Sequence, residues 1–320
     1  LADFRRAKGG SSPSTPAQAG AAAQVFVGDP ERPVLSLAQR HHLTRVMRLR
    51  EGELVVAADG KGSFSLCRFT LRSGVGRQPG AIEKSAIVRE SPVFFEPRPP
   101  YPIGVAFVPA KGERPEWVVQ KLTELGVDEI VVLRSRRAVV RWDEERERRA
   151  MAHLEAVALE AAAQSRRAWL PGVRGVVHVD DLSEVMDGPL RLSAAQREEG
   201  DEYGVGSAGG AAAAQAAAQA AAQAAAQAAA QDVRRERTVA LADRRGDAPD
   251  SHLRLIAVGP EGGFDPAELE AAPRLVGLSK KVLRSETAAV VAGFVLAAMR
   301  DRWVAEVARV RSGACNCHAT

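Results

Sequence analysis

The chain has 320 residues, 46% of them hydrophobic and 26% charged, with a formal net charge of +4. That is enough chain and apolar content for two soluble domains with a real core. Three cysteines (Cys67, Cys315, Cys317) exclude a disulfide framework and suit a reducing compartment. The longest apolar run, Thr287 to Met299, is too short to span a bilayer, and neither the six histidines nor Cys315-Asn316-Cys317-His318 supplies a full metal-ligand set.

Residues 1–24 are low in complexity. Arg5, Arg6 and Lys8 precede Ser, Pro, Ala and Gly with almost no acid, so the stretch reads as a disordered tail or the remnant of an organelle transit peptide. Residues 25–97 read as a small β-rich domain. Short strands are expected at Phe26-Val27, 54–58, 64–69 and 86–88, with Asp59-Gly60-Lys61-Gly62 as a hairpin turn. One helix is expected from Leu37 to Arg48, with Leu43, Val46 and Met47 on one side. Pro92 and Pro97-Arg98-Pro99-Pro100 then form a stiff boundary.

From Ile103 to residue 305 strands alternate with helices, which predicts an α/β domain with a parallel sheet. The expected order is a strand at 103–108, a helix at 116–125 closed by Gly126, a strand at 129–133 and a helix at 144–167 stopped before Pro171. A strand at 176–179 and another at 190–192 follow. Residues 200–250 interrupt the pattern. Gln215, Gln219, Gln223, Gln227 and Gln231 recur every fourth residue in alanine, with no apolar stripe to dock, so this stretch reads as a surface insertion. Residues 306–320 form a tail.

Two segments carry the chemistry. Leu253 to Val258 is a buried strand that breaks into Gly259-Pro260-Glu261-Gly262-Gly263-Phe264, and Lys281 to Leu283 is a short strand leading into Arg284-Ser285-Glu286-Thr287 and an apolar helix. Both loops belong at one end of the sheet, where α/β proteins bind small ligands. The glycine loop presents backbone N–H groups. It lacks the Lys or Ser/Thr that a triphosphate loop needs, and it offers Asp265 and Pro266 as helix N-cap and N1 instead. Ser285 or Thr287 is the expected cap of a helix starting near Ala288. Arg284 is the anomaly, a cation near a helix N-terminus, where a carboxylate is preferred. It points to an anionic ligand or to a pair with Glu286. Basic clusters at Arg40, Arg45, Arg48 and Arg50, at Arg134, Arg136, Arg137 and Arg141, and at Arg166 and Arg167 suit an anionic partner such as RNA.

Taken in order, these residues resemble the bacterial-type 16S ribosomal RNA (uracil-N3)-methyltransferase family of the knotted SPOUT class. The shared motifs are His42 to Leu49 with Gly52, Asp59-Gly60, Lys111-Gly112, Gln120 to Val127, Glu160 to Arg167 with Pro171, and the two segments above. The resemblance implies a PUA-like β-barrel that helps hold RNA, followed by an α/β methyltransferase domain with a trefoil knot. It implies S-adenosylmethionine as donor, a homodimer, and small-subunit ribosomal RNA as substrate. It places the donor on Leu192, Gly259, Glu261, Gly262, Gly263, Leu278, Val282, Leu283, Arg284 and Thr287. Arg284 becomes the charge stabiliser and Glu286 the candidate base. Arg45, Arg48, Arg136, Arg137, Arg166 and Arg167 become the candidate phosphate contacts. The family's third donor loop is expected after the strand at 190–192. Ser193-Ala194-Ala195 and the insertion follow that strand here, so the third wall of the site is expected to be altered. Two rival readings follow from the same residues: a nucleotide-binding enzyme using 259–263 on phosphate, and a catalytically silent RNA-binding protein of this fold. The basic N-terminus and the Ala/Gln repeat favour a chloroplast over a bacterial cytoplasm.

Overall fold

The computed structural model describes residues 13–71, 85–110, 114–140, 142–182 and 238–301. The chain divides into two compact units. The first comprises Leu1–Arg98 with Ala158–Leu170, and the second Pro99–Val157 with Pro171–Thr320.

The first unit is built on five strands: β1 (Ala23–Phe26), β2 (Leu54–Ala58), β3 (Ser63–Leu71), β4 (Ser85–Arg89) and β5 (Phe94–Phe95). They run in the order β1-β2-β3-β4, with β5 also on β3. Only the β1–β2 pair is parallel. Alternate residues of β2 and β3 face opposite sides. Val55, Ala57, Cys67 and Phe69 join one buried cluster with Leu35 and Leu43. Val56, Ala58, Phe64 and Leu66 join another with Ala168, which the returning segment supplies. Both sides are therefore covered, and β2 reads as an unbroken apolar run. The predicted turn forms: Asp59 accepts from the N–H groups of Lys61 and Ser63, and Gly60 and Gly62 take positive φ.

Helix α1 (Leu37–His41) is shorter than the sequence suggests. It passes into one π-helical turn, His42–Val46, and the chain leaves through Arg48 at φ 55°. That change of period alters which residues face inward. Leu43 is buried, but Val46 and Met47 are exposed.

The second unit is a six-stranded, wholly parallel sheet, which the alternation of elements predicts. Its strands are β6 (Gly104–Phe107), β7 (Glu129–Arg134), β8 (Gly172–His178), β9 (Thr238–Asp247), β10 (Leu253–Val258) and β11 (Leu275–Val276), in the order β11-β9-β10-β6-β7-β8. Helices α2 (Arg114–Glu124), α3 (Glu144–Gln164), α4 (Pro266–Ala271) and α5 (Ser285–Arg300) connect or follow them. Gly126 closes α2 at φ 80°. Helices α2 and α5 pack together at Gly293, where a Cβ would lie 2.6 Å from Leu122 Cδ2. A methyl there would have to displace the buried Leu122 side chain. Buried Arg300 locks the far end of α5, with Nη1 2.7 Å from Asp128 Oδ2 and Nη2 donating to the Gly126 carbonyl.

Two expectations are corrected. Residues 238–247 are the sheet strand β9, so the 200–250 stretch is not insertion throughout. Lys281 to Leu283 is an irregular approach rather than a strand, and the short strand before α5 is β11. Trp117 on α2 is 43% exposed. The Ala/Gln repeat, the 190–192 segment and the 306–320 tail lie outside the described residues.

Candidate active site

In a parallel sheet every carboxyl end lies on one edge. The chain runs from β6 outward through β7 and β8, and β10 sits on the other side of β6 with β9 and β11 beyond it. The reversal between β6 and β10 is the place where such sheets receive ligands. The segments at this edge are the irregular second half of β9 (Ala242–Asp247), the Gly259–Phe264 loop after β10, and the run from Gly277 to Arg284 after β11.

The glycine loop is a tight turn with a buried root and an exposed crest. Gly263 N–H donates to the Pro260 carbonyl at 2.8 Å, and Gly263 takes φ 71°. Gly259 lies against the Phe264 ring, which fills the space its Cβ would need at 3.1 Å. Phe264 is buried in the core with Val108, Leu133 and Leu255, so it is a wedge under the loop and not a ligand-stacking ring. Glu261, Gly262 and Gly263 are exposed, and a Cβ on Gly262 would meet nothing within 4 Å. Asp265 caps α4 with Glu268 in a reciprocal capping box, and Pro266 opens the helix, matching the sequence reading. Buried Glu268 also accepts from Ser135 Oγ and from Arg136 N–H, so one carboxylate joins the β7 and β10 loops.

Helix α5 begins at Ser285, earlier than the sequence suggests. Neither Ser285 nor Thr287 caps it; Arg284 is the N-cap residue, and its side chain makes no capping bond. Ser285 Oγ donates to Glu286 Oε2 at 3.3 Å. Arg284 does not take Glu286 as its partner. Among the described residues Glu286 pairs with Arg114, whose Nε lies 3.8 Å from its Oε1. Arg114 Nη1 also reaches Glu261 Oε1 at 3.2 Å. One arginine from the first turn of α2 thus ties the glycine loop to the head of α5. Sequence reading missed Arg114, although it carries the same signal as Arg284: a cation at a helix N-terminus, against the dipole. Arg284 is exposed and has no ion-pair partner among the described residues.

Beside β10 at this edge runs β9. Leu241 and Asp247 pair with Leu275 and Val276, so Ala242 to Gly246 loop out between two successive β11 pairings. Asp243 accepts from the N–H and Nε of Arg245, both at 2.9 Å, and these bonds hold its carboxyl below the usual range. Gly246 and Gly277 let the two backbones cross. A Cβ on Gly246 would fall 2.5 Å from Val276 C, and one on Gly277 would fall 2.8 Å from Gly246 O. The strand next to β10 is therefore β9, and the Ala/Gln repeat precedes it in the chain. The 190–192 segment, after which the third donor loop was expected, and Leu192 itself lie outside the described residues.

The basic residues separate into kinds. Arg45 and Arg48 are exposed, with no ion pair among the described residues. Arg136 lies 3.6 Å from Asp180, while Arg137 pairs with Asp265 and reaches the Gly262 carbonyl at 3.4 Å. Arg166, at φ 60°, spends its guanidinium on the carbonyls of Ala21 and Ala22, and burial lowers its pKa. It is a structural tie rather than a free phosphate contact. Arg167 lies near Glu96, whose carboxyl burial raises and Arg167 lowers.

The chain is similar to two known domain families. The model of an RNA methyltransferase domain matches residues 97–297, and that of an RNA methyltransferase PUA domain matches 38–71. The ribosomal RNA small subunit methyltransferase E of Mycobacterium bovis is 29% identical over 82% of this chain and 84% of its own length. The protein of the same name from Bacillus subtilis is 26% identical over 82% and 89%. Among solved structures, the ribosomal RNA small subunit methyltransferase E of Neisseria gonorrhoeae, bound to S-adenosyl methionine, shares this fold. Its TM-score is 0.58 at 20% identity, covering 88% of this chain and 98% of that one.

Proposed function

The chain belongs to the RNA methyltransferase family whose domain model spans residues 97–297, and from that membership we propose that it methylates N3 of a uridine in small-subunit ribosomal RNA. S-adenosylmethionine is the proposed donor. The observation that carries this reading is Arg284, an exposed cation at the N-cap of α5 on the ligand-receiving edge of the sheet, paired with no acid among the described residues. A cation held there against the helix dipole accords with an anionic reacting group.

The loops fit the donor. Gly262 and Gly263 expose backbone with nothing within 4 Å of either Cβ position, and Gly259, Glu261, Leu278, Val282, Leu283, Arg284 and Thr287 follow the same carboxyl ends. The β9 loop replaces Leu192 as the third wall in this proposal. When bound, the donor supplies an electrophilic methyl on a sulfonium. Uracil N3 becomes a nucleophile once its proton leaves, and Arg284 stabilises the charge that then spreads to the uracil oxygens. Glu286 is the proposed proton acceptor, oriented by Ser285 and Arg114. Arg45 and Arg48 lead the RNA contacts, with Arg136, Arg137 and Arg167 adding charge.

The finer architecture belongs to the same proposal. A trefoil knot accords with the close crossing of Gly246 over Leu275–Val276, and a PUA-like barrel with the five strands of the first unit. A homodimer accords with Trp117 on α2 and Phe294 on α5, which are 43% and 51% exposed; sedimentation of wild type against Phe294→Glu tests it. For the compartment, the basic N-terminus supports a chloroplast and the bacterial relatives support a bacterial cytoplasm. Import of an N-terminal fusion into isolated chloroplasts decides between them.

The central experiment incubates the protein with labelled donor and small ribosomal subunits and maps the product by mass spectrometry. N3-methyluridine is the expected product. Donor binding without transfer would point to the silent RNA-binding reading, and calorimetric binding of ATP in place of the donor to a nucleotide enzyme.

A further inference from the structure

The two phenylalanines of β5 face opposite ways. Phe94 turns in, its ring 5.4 Å from Phe64 within a buried cluster. Phe95 turns out and is 49% exposed. It is also held rigidly. Its ring meets Trp169 edge to face, with centroids 5.9 Å apart at 82°. Trp169 is itself fixed. Its Nε1 donates to the Glu96 carbonyl at 2.8 Å, and its indole lies so close over Gly62 that a Cβ there would be 2.5 Å from Cζ2. The Arg98 guanidinium stacks on the same indole, 4.1 Å from the centroid.

Two cations lie beside this ring. Lys61 is exposed in the turn bridged to Trp169, and Arg98 stacks on the indole. The neighbouring acids are engaged: Asp59 accepts from the turn's own N–H groups, and Glu96 lies beside Arg167. The hydrophobic cluster beneath is closed by Phe94, Phe64 and Ala168 without Phe95. What remains is a rigid aromatic face rimmed by positive charge, the combination that binds single-stranded nucleic acid by stacking.

We propose that Phe95, braced by Trp169 and Arg98, is a stacking platform for an unpaired base of the RNA substrate, with Lys61 and Arg98 on the adjoining phosphates. This rests on the RNA-modifying reading above and adds a site that the arginine clusters did not contain. A flat ring accepts any base face, so the platform recognises an unstacked nucleotide rather than a particular sequence.

The test uses the full-length protein and a fluorescent single-stranded oligoribonucleotide of roughly twelve residues, a length within the usual site sizes. Phe95→Ala is expected to weaken binding about 5- to 100-fold, the range for loss of one stacked base. Phe95→Trp is expected to retain affinity. The salt dependence should stay unchanged in Phe95→Ala and become shallower in Lys61→Ala, because only the second removes a phosphate contact. Binding to a blunt RNA duplex should be indifferent to Phe95. Wild-type binding by a folded Phe95→Ala protein overturns the proposal, as does loss of self-association in that variant in place of loss of RNA affinity. If the wild-type protein binds no RNA at all, the broader reading fails first, and donor calorimetry on the same sample identifies that case.

Discussion

Gly246 in the second half of β9 and Gly262 in the loop after β10 lie on neighbouring segments of the same edge, and substituting each by alanine should give opposite results. At Gly246 the new methyl would fall 2.5 Å from Val276 C and 2.6 Å from Leu275 C, with Val276 N closer still. These are main-chain atoms and cannot rotate away. Ordinary carbon contact is about 3.5 Å, so β9 and β11 must part by roughly 1 Å. That movement strains the Gly277 N–H to Asp247 carbonyl bond of 2.8 Å and the Leu241 N–H to Arg274 carbonyl bond of 2.9 Å. Overpacking costs about 1–3 kcal/mol, and each weakened hydrogen bond about 1 kcal/mol. The sum is about 3–5 kcal/mol, read as a lower urea midpoint and a Tm drop of several degrees. Gly262 has open space around it and no positive φ. Gly262→Ala should therefore leave the Tm within about a degree, or raise it slightly by restricting the unfolded chain. Its methyl would instead stand where a ligand meets the backbone, so donor affinity measured by calorimetry should fall at least about tenfold. A Gly246→Ala protein as stable as wild type would refute the crossing argument. A Gly262→Ala protein that binds donor normally would refute the placement of the donor on this crest.

Other outcomes follow from the same contacts. Arg284→Ala should bind donor but lose about 100- to 1000-fold in kcat, the usual cost of removing one charge stabiliser; near-normal single-turnover transfer would contradict it. Arg300→Ala removes a charged partner from Asp128, which keeps the Ile103 N–H, and urea unfolding should show a loss of about 1–3 kcal/mol. Arg114→Ala breaks two pairs that are partly exposed, so it should cost at most about 1 kcal/mol in stability while weakening donor binding. Asp243 has a depressed folded pKa, caused first by its Arg245 hydrogen bond. Its contribution to stability is therefore complete above the unfolded value of about 3.9 and lost as pH falls through the lower folded value. Asp243→Asn should flatten the acid limb of a stability profile below about pH 4, and an unchanged limb would count against the bond.

Local chemistry made much of this readable in advance. Leu253 to Val258 had to be a strand because an apolar run ends in Gly259-Pro260, and Asp265-Pro266 could hardly be anything but a helix start. β9 escaped notice because its second half, Asp243-Arg244-Arg245-Gly246-Asp247, is polar and reads as loop, and because it adjoins low-complexity chain. Its pairing with β11 is a tertiary fact. Arg114 escaped because its partner Glu261 is 147 positions away. Arg166 looked like one more surface cation until its guanidinium was found on two carbonyls some 140 residues upstream. Spacing also cannot announce a π-helical turn, and that turn is why Val46 and Met47 face solvent.

The pairing of β6 with β10 has a consequence for how the molecule is made. Gly104 lies beside Leu255, so the middle of the second sheet joins segments about 150 residues apart. During synthesis at about 5–20 residues per second, β6 waits roughly 8–30 s for its neighbour. Closing a loop of that length costs about 4 kcal/mol in chain entropy before any contact is gained. All four residues of β6 are buried in the finished protein. On the ribosome they form an unfilled apolar edge, the kind of surface that chaperones recognise and that aggregates when the wait is prolonged. Production of this protein should therefore respond more to translation speed and chaperone supply than its finished stability would suggest.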